Sequence, residues 1–141
     1  MTNATITKTV FLAASRETVW AFLTQREKLA QWFHPCDGDL REGEEFSLFG
    51  KTDDGTDAKL CWGTVLQIVE PSKLVYSFTV HPLDGAMTTV TWILDDAGDG
   101  TRLTMEHAGL AEVDASFGLM MALDAGWDEH LASIRNVLNK G

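Results

Sequence analysis

Residues 120–138 read MMALDAGWDEHLASIRNVL, and apolar side chains recur in this stretch at Met120, Leu123, Trp127, Leu131, Ile134 and Leu138. Spacings of 3, 4, 4, 3 and 4 put them on one stripe of an α-helix about five turns long. Asp124, Asp128, Glu129 and Arg135 fall off the stripe and predict a solvated back. Such a helix is stable in water only if its stripe is laid against another apolar surface.

The preceding chain supplies that surface with a different period. Thr101–His107 alternates, with Leu103, Met105 and His107 on one face and Arg102, Thr104 and Glu106 on the other. Asp95–Gly100 (DDAGDG) predicts a turn before it, and Met87–Leu94 a strand in which Val90, Trp92 and Leu94 alternate. Lys73–Val80 is a strand stopped by His81-Pro82, and Leu60–Val69 another stopped by Glu70-Pro71. Lys51–Thr56 predicts a hairpin turn with positive φ supplied at Asp54-Gly55, after a strand over Glu45–Phe49. Asp37–Glu44 reads as a loop. Toward the N-terminus, Thr5–Leu12 predicts a first strand and Ser15 the cap of a short helix bearing Val19, Trp20, Phe22 and Leu23. Thr24–Glu27 fits a capping box for a second short helix carrying Leu29, Trp32 and Phe33 and ending before Pro35. The expected class is α+β: an antiparallel sheet of about six strands with the long helix laid across one face.

The 141 residues suit one domain, expected over residues 1–141. With 11 basic and 21 acidic residues the net charge is −10, which argues against a nucleic-acid surface and against docking on anionic lipid. The longest apolar runs, Val10–Ala14 and Leu119–Leu123, are far short of the roughly 20 residues a spanning helix needs. Neither makes a signal sequence, so a soluble, cytoplasmic protein is expected, with Cys36 and Cys61 as reduced thiols.

A curved sheet bent around one helix leaves space between them unless large side chains fill it. Five tryptophans beside a single tyrosine bear on that question. Trp20 and Trp32 read as packing residues on the short helices. Trp62, Trp92 and Trp127, with Phe46, Phe78, Met105 and Met120, are expected to line the space between sheet and helix. Phe33 is expected at its entrance, and the Phe117–Met121 turn at the opposite lip. His107 is the candidate polar handle or proton-transfer group, and Asp124, on the border of the helix stripe, is placed near the mouth.

Several short signatures now line up. Val19-Trp20, Leu29-Ala30-Gln31-Trp32-Phe33 and Gly43–Phe46 come first. Gly63-Thr64-Val65, Glu70-Pro71 and Leu74-Val75-Tyr76 follow, then Gly100–His107 (GTRLTMEH) and Gly126-Trp127 before Leu131. In order and spacing they resemble the family named for the activator of heat-shock-protein-90 ATPase homologue, within the START-like (birch-pollen-allergen-like, SRPBCC) superfamily. The likeness runs over about residues 5–138. It implies a helix-grip fold with a cavity between sheet and long helix, and no shared catalytic residue set. The eukaryotic activators also carry a separate N-terminal domain that contributes to chaperone binding, and no such domain is expected in these residues.

The chemistry-bearing motifs are few. GxGxxG, GxxxxGK[ST], GxSxG, HExxH and CxxC are all missing, so no cofactor, nucleotide or metal is expected. His34, Cys36, Cys61, His81 and His130 are scattered without ligand spacing. The first expectation is therefore a binding protein for a small apolar or amphipathic molecule. The second is an enzyme of the cyclase, lyase or hydrolase type using His107. The third is a chaperone-cofactor or stress-response module whose acidic surface meets a basic partner. A homodimer through the sheet edge or the long helix is a further expectation.

Overall fold

The computed structural model describes residues 5–51 and 54–139. Chain order is β1 (Ile6–Leu12), α1 (Arg16–Thr24), α2 (Arg26–Trp32), β2 (Glu45–Lys51), β3 (Asp57–Val69), β4 (Lys73–Val80), a 3-10 turn (His81–Leu83), β5 (Thr88–Ala97), β6 (Gly100–Ala108) and α3 (Phe117–Leu138). The six strands form one antiparallel sheet in the order β1-β6-β5-β4-β3-β2. Strands β2 to β6 are a meander, and β1 closes onto β6 with Ile6 opposite His107 and Leu12 opposite Thr101. Helix α3 crosses the sheet over β1 and packs against α2. This is the helix-grip fold.

Period-2 alternation builds the inner face. Leu103, Met105 and His107 on β6 are buried, as are Val90, Trp92 and Leu94 on β5 and Leu74, Tyr76 and Phe78 on β4. Register sets Trp92 beside Met105 and Val90 beside His107. Cys61 and Val65 on β3, with Phe46 and Leu48 on β2, extend the surface. From above, α3 buries Trp127, Leu131 and Ile134, while Leu123 and Leu138 are half-buried. At Gly63 the backbone of β4 comes so close that a Cβ would lie 1.8 Å from the Ser77 carbonyl oxygen, so only glycine fits.

Ser15 caps α1 as expected, its hydroxyl accepting from the Thr18 amide at 3.2 Å. The capping box at Thr24 does not form. Helix α1 runs on through Thr24, whose hydroxyl turns back to donate to the Trp20 carbonyl at 2.9 Å. Gln25 takes the cap position of α2 without a side-chain bond, and Asp39 reaches in from the following loop to accept from the Arg26 amide at 2.9 Å. A distant carboxylate thus satisfies the free first-turn amide that the sequence pattern assigned to Thr24. Asp39→Ala should cost about 1 kcal/mol in a urea titration; a loss below a tenth of that would remove Asp39 as the cap.

Strand β3 begins three residues before the expected Leu60, and β5 runs three beyond the expected Leu94, so the Asp95–Gly100 turn tightens to its end. The 51–56 turn includes residues 52 and 53, which lie outside the described residues; Gly55 beside them has φ +84°.

Candidate functional site

Four elements converge under α3. Phe78 comes from β4, Trp92 from β5 and His107 from β6, all on the inner face, and Trp127 descends from α3 onto them. Trp127 lies 5.7 Å from Trp92, 5.8 Å from Phe78 and 5.9 Å from His107, centroid to centroid. Trp32 meets Trp92 edge-on at 5.9 Å, and Phe33 stacks on both Trp32 and Trp127. Edge-to-face and offset contacts of this kind are the favoured aromatic geometries.

Each buried polar atom in this cluster has a partner. The Trp127 indole N–H donates to His107 Nδ1 at 3.0 Å. That fixes the imidazole tautomer: Nε2 carries the proton and donates to Thr88 Oγ1 at 2.7 Å. The Thr88 hydroxyl in turn donates to the Phe78 carbonyl at 2.6 Å. The Trp92 indole donates to the Tyr76 hydroxyl, and the Trp32 indole to the Phe22 carbonyl. Burial pushes His107 down to about 4, so it is neutral across the physiological range. Both its ring nitrogens are committed within the core.

Beside this plug, a small cleft of about 80 Å³ opens between α3 and the β3–β4 side of the sheet. Phe33, His34, Cys61, Phe78, Trp127 and His130 are among its walls, with Ala122, Leu123 and Gly126 along the α3 edge. A Cβ added at Gly126 would meet nothing within 4 Å, so the missing side chain is part of what keeps the edge open. Two larger depressions, of about 430 and 330 Å³, lie elsewhere: one between Phe11, Ala97 and Asn139, the other between Arg26, Glu27 and Asp39. Neither reaches the aromatic cluster.

At the mouth, Phe33 meets His130 edge-on at 4.7 Å and His34 at 4.8 Å, and the two imidazoles meet each other at 4.9 Å. Burial lowers His34. His130 is driven to about 4 by burial and by neighbouring His34, against an opposing pull from the Trp32 carbonyl. Burial also pushes the Cys61 thiol up to about 12, which keeps it un-ionised.

Of the residues expected around the space, Phe33, Phe78, Trp92, Met105, His107 and Trp127 are brought together. Phe46 is on the inner face but packs on Tyr76 at 4.9 Å, farther along the sheet. Trp62 lies on the outer face, against His81 at 5.2 Å and under the Lys59 ammonium at 4.8 Å, because Cys61, Gly63 and Val65 take the inward positions of β3. Met120 is half-buried in the first turns of α3 and is not among the cleft walls. Asp124 is exposed and faces β1, where it and Asp128 hold Lys8 Nζ at 2.7 and 2.9 Å. The far lip is formed by Ala122, Leu123 and Gly126, while Phe117 and Met121 point outward, 74% and 59% exposed. His34, Cys61, Gly126 and His130 were not anticipated as cleft residues. The signal available was that His130 follows Trp127 by three on the same helix face and His34 follows Phe33. Among the described residues no cluster of three or more His, Cys, Asp or Glu side chains could hold a metal ion, and no helix is long and apolar enough to cross a membrane.

A six-stranded antiparallel sheet gripping a C-terminal helix over an aromatic core defines a START-like helix-grip domain. The family described as Activator of Hsp90 ATPase homolog 1-like protein matches residues 13–139, and the chain belongs to that family. Among solved structures, CalU16 from Micromonospora echinospora is similar at 26% identity and a TM-score of 0.76, over 96% of this chain and 76% of that one. Protein MLL2253 from Mesorhizobium loti aligns at 22% identity and a TM-score of 0.79, over 96% and 97% of the two chains. DynU16, from the dynemicin biosynthetic locus, aligns at 20% identity and a TM-score of 0.82, over 99% of this chain and 49% of that one. No curated protein matches the chain.

Proposed function

We propose that the chain binds a small apolar or amphipathic molecule at the cleft between α3 and the sheet, with Phe33 as its movable wall. The observation that carries this reading is the open edge at Ala122 and Gly126 above an aromatic floor of Phe78 and Trp127. A packed interior would place large side chains there. The cleft of about 80 Å³ is smaller than the roughly 300 Å³ at which pockets for drug-sized ligands begin. A ligand therefore seats by displacing the Phe33 side chain, whose ring stacks on Trp32 and Trp127 at the end of α2. The floor beneath is hydrogen-bonded throughout and stays in place. His107 belongs to that floor: its proton and its lone pair are both engaged, which does not favour proton transfer to a substrate.

Gly126→Leu tests the reading. Leucine favours the helix over glycine, so the variant should fold, and its side chain should occupy the opening. A neutral naphthalene dye should bind the parent saturably and the variant at least tenfold more weakly. Equal binding by both, or no saturable binding by the parent, would sink the proposal.

A further inference from the structure

Two of the four histidines line the cleft and two do not. His107 spends both ring nitrogens inside the core, and His81 Nε2 is bonded to the Lys59 carbonyl at 2.6 Å. His130 uses one ring nitrogen on the Trp32 backbone carbonyl, which leaves the other for a ligand, and it faces His34 at the mouth of the cleft. Two imidazoles with ring nitrogens to spare, lining the edge of an aromatic slot, are polar groups placed to meet whatever enters. We infer that the His34–His130 pair is the recognition site for an acidic oxygen group on an aromatic ligand, binding the anion together with one proton taken up from solvent. This rests on the cleft being a binding site, and it names the class of ligand.

The electrostatics favour such a site only if the charge is supplied locally. The chain carries −10 overall, so an anion approaching from solvent is repelled. Among the described residues, the cleft walls hold no lysine or arginine. The titratable groups near the pair are Cys61 from β3, Cys36 and Asp37 on the loop carrying His34, Asp128 and Glu129 beside His130 on α3, and His107 beneath Trp127. Asp128 is engaged with Lys8, Asp37 accepts from the Ser47 amide, and Cys61 remains a neutral thiol. The countercharge available to a bound anion is therefore an imidazolium formed on His34 or His130. Without ligand, burial lowers both imidazoles, and neighbouring His34 lowers His130 further, so the pair is held neutral. A carboxylate between them reverses that balance and raises their proton affinity. The balance is one imidazole plus one solvent proton plus one carboxylate giving one imidazolium–carboxylate pair, with the aromatic body against Phe33 and Trp127.

The test compares 1-naphthoate with its neutral analogue 1-naphthamide by calorimetry at pH 6 and pH 8. The carboxylate is fully ionised in solution across that range, so any pH effect belongs to the protein. Naphthoate should bind about tenfold more tightly at pH 6 than at pH 8, with a buffer-dependent heat that reports proton uptake. Naphthamide should show neither effect. In the double variant with His34→Gln and His130→Gln, the pH dependence of naphthoate should vanish while naphthamide affinity holds within about twofold. Saturable naphthamide binding beside pH-independent or undetectable naphthoate binding would overturn the acidic-ligand inference and leave the cleft reading intact. If neither compound binds at either pH, both readings fall.

Discussion

Trp127→Phe should lower the unfolding free energy by about 2 kcal/mol, and Trp127→Ala by about 4 kcal/mol or more. The phenylalanine variant keeps an aromatic ring against Trp92, Phe78 and Phe33 but removes the indole N–H. His107 Nδ1 then loses its donor in a site where His107 is fully buried. An orphaned buried acceptor costs about 1–3 kcal/mol. Switching the imidazole tautomer does not escape this. Nε2 would then accept from Thr88, and the Thr88 hydroxyl would have to abandon the Phe78 carbonyl. The alanine variant adds a cavity at the meeting point of α2, α3 and three strands, where little can collapse to fill it. Against a typical domain stability of about 5–15 kcal/mol that is a large fraction. Urea titrations followed by circular dichroism measure both. A Trp127→Phe loss under about 0.5 kcal/mol would mean that the indole–imidazole bond contributes nothing to holding α3 down.

Much of this arrangement is legible in the sequence, for reasons that differ between elements. The α3 stripe is clear because 3.6-residue periodicity is sampled over many turns, and tertiary packing agrees with it at Trp127, Leu131 and Ile134. β4 is read to its ends because proline follows it and alternation runs through it. Trp62 is harder. β3 is apolar or β-branched on both faces for much of its length, and a register shift between Val65 and Gln67 breaks its parity. Nothing local says that Gly63, forced inward by the close approach of β4, sends its neighbour outward. At Thr24, a threonine with glutamate three residues on satisfies the capping pattern equally well when the preceding helix simply continues. The His34–His130 contact joins residues far apart in the chain, one on a loop and one on a helix, and exists only after α3 has docked on α2. Periodicity reports which face a residue takes; it does not report which loop will come to meet it.

The second large effect concerns acid. Between pH 6.5 and about pH 4 the protein should lose roughly 3 kcal/mol of stability through His107 alone. In the folded state burial holds His107 down to about 4, whereas an unfolded imidazole titrates near 6.5. Between those values the unfolded chain binds the extra proton, so stability falls as pH falls. The contribution is fully present above about pH 6.5 and is gone once the pH has dropped through about 4. His130, depressed to about 4, adds to the same slope, and half-buried His34 shifts it in the same direction. The informative quantity is the difference between parent and variant, which isolates His107. His107→Gln preserves hydrogen-bonding capacity toward Trp127 and Thr88 but cannot titrate. It should be less stable than the parent at pH 7.5, and the gap should narrow steadily toward pH 4.5 as the parent loses what the variant never had. Urea titrations at intervals of half a pH unit supply the two curves. Parallel curves would show that His107 is not held neutral by its burial, and the account of the core as a closed hydrogen-bonded floor beneath the cleft would have to be abandoned.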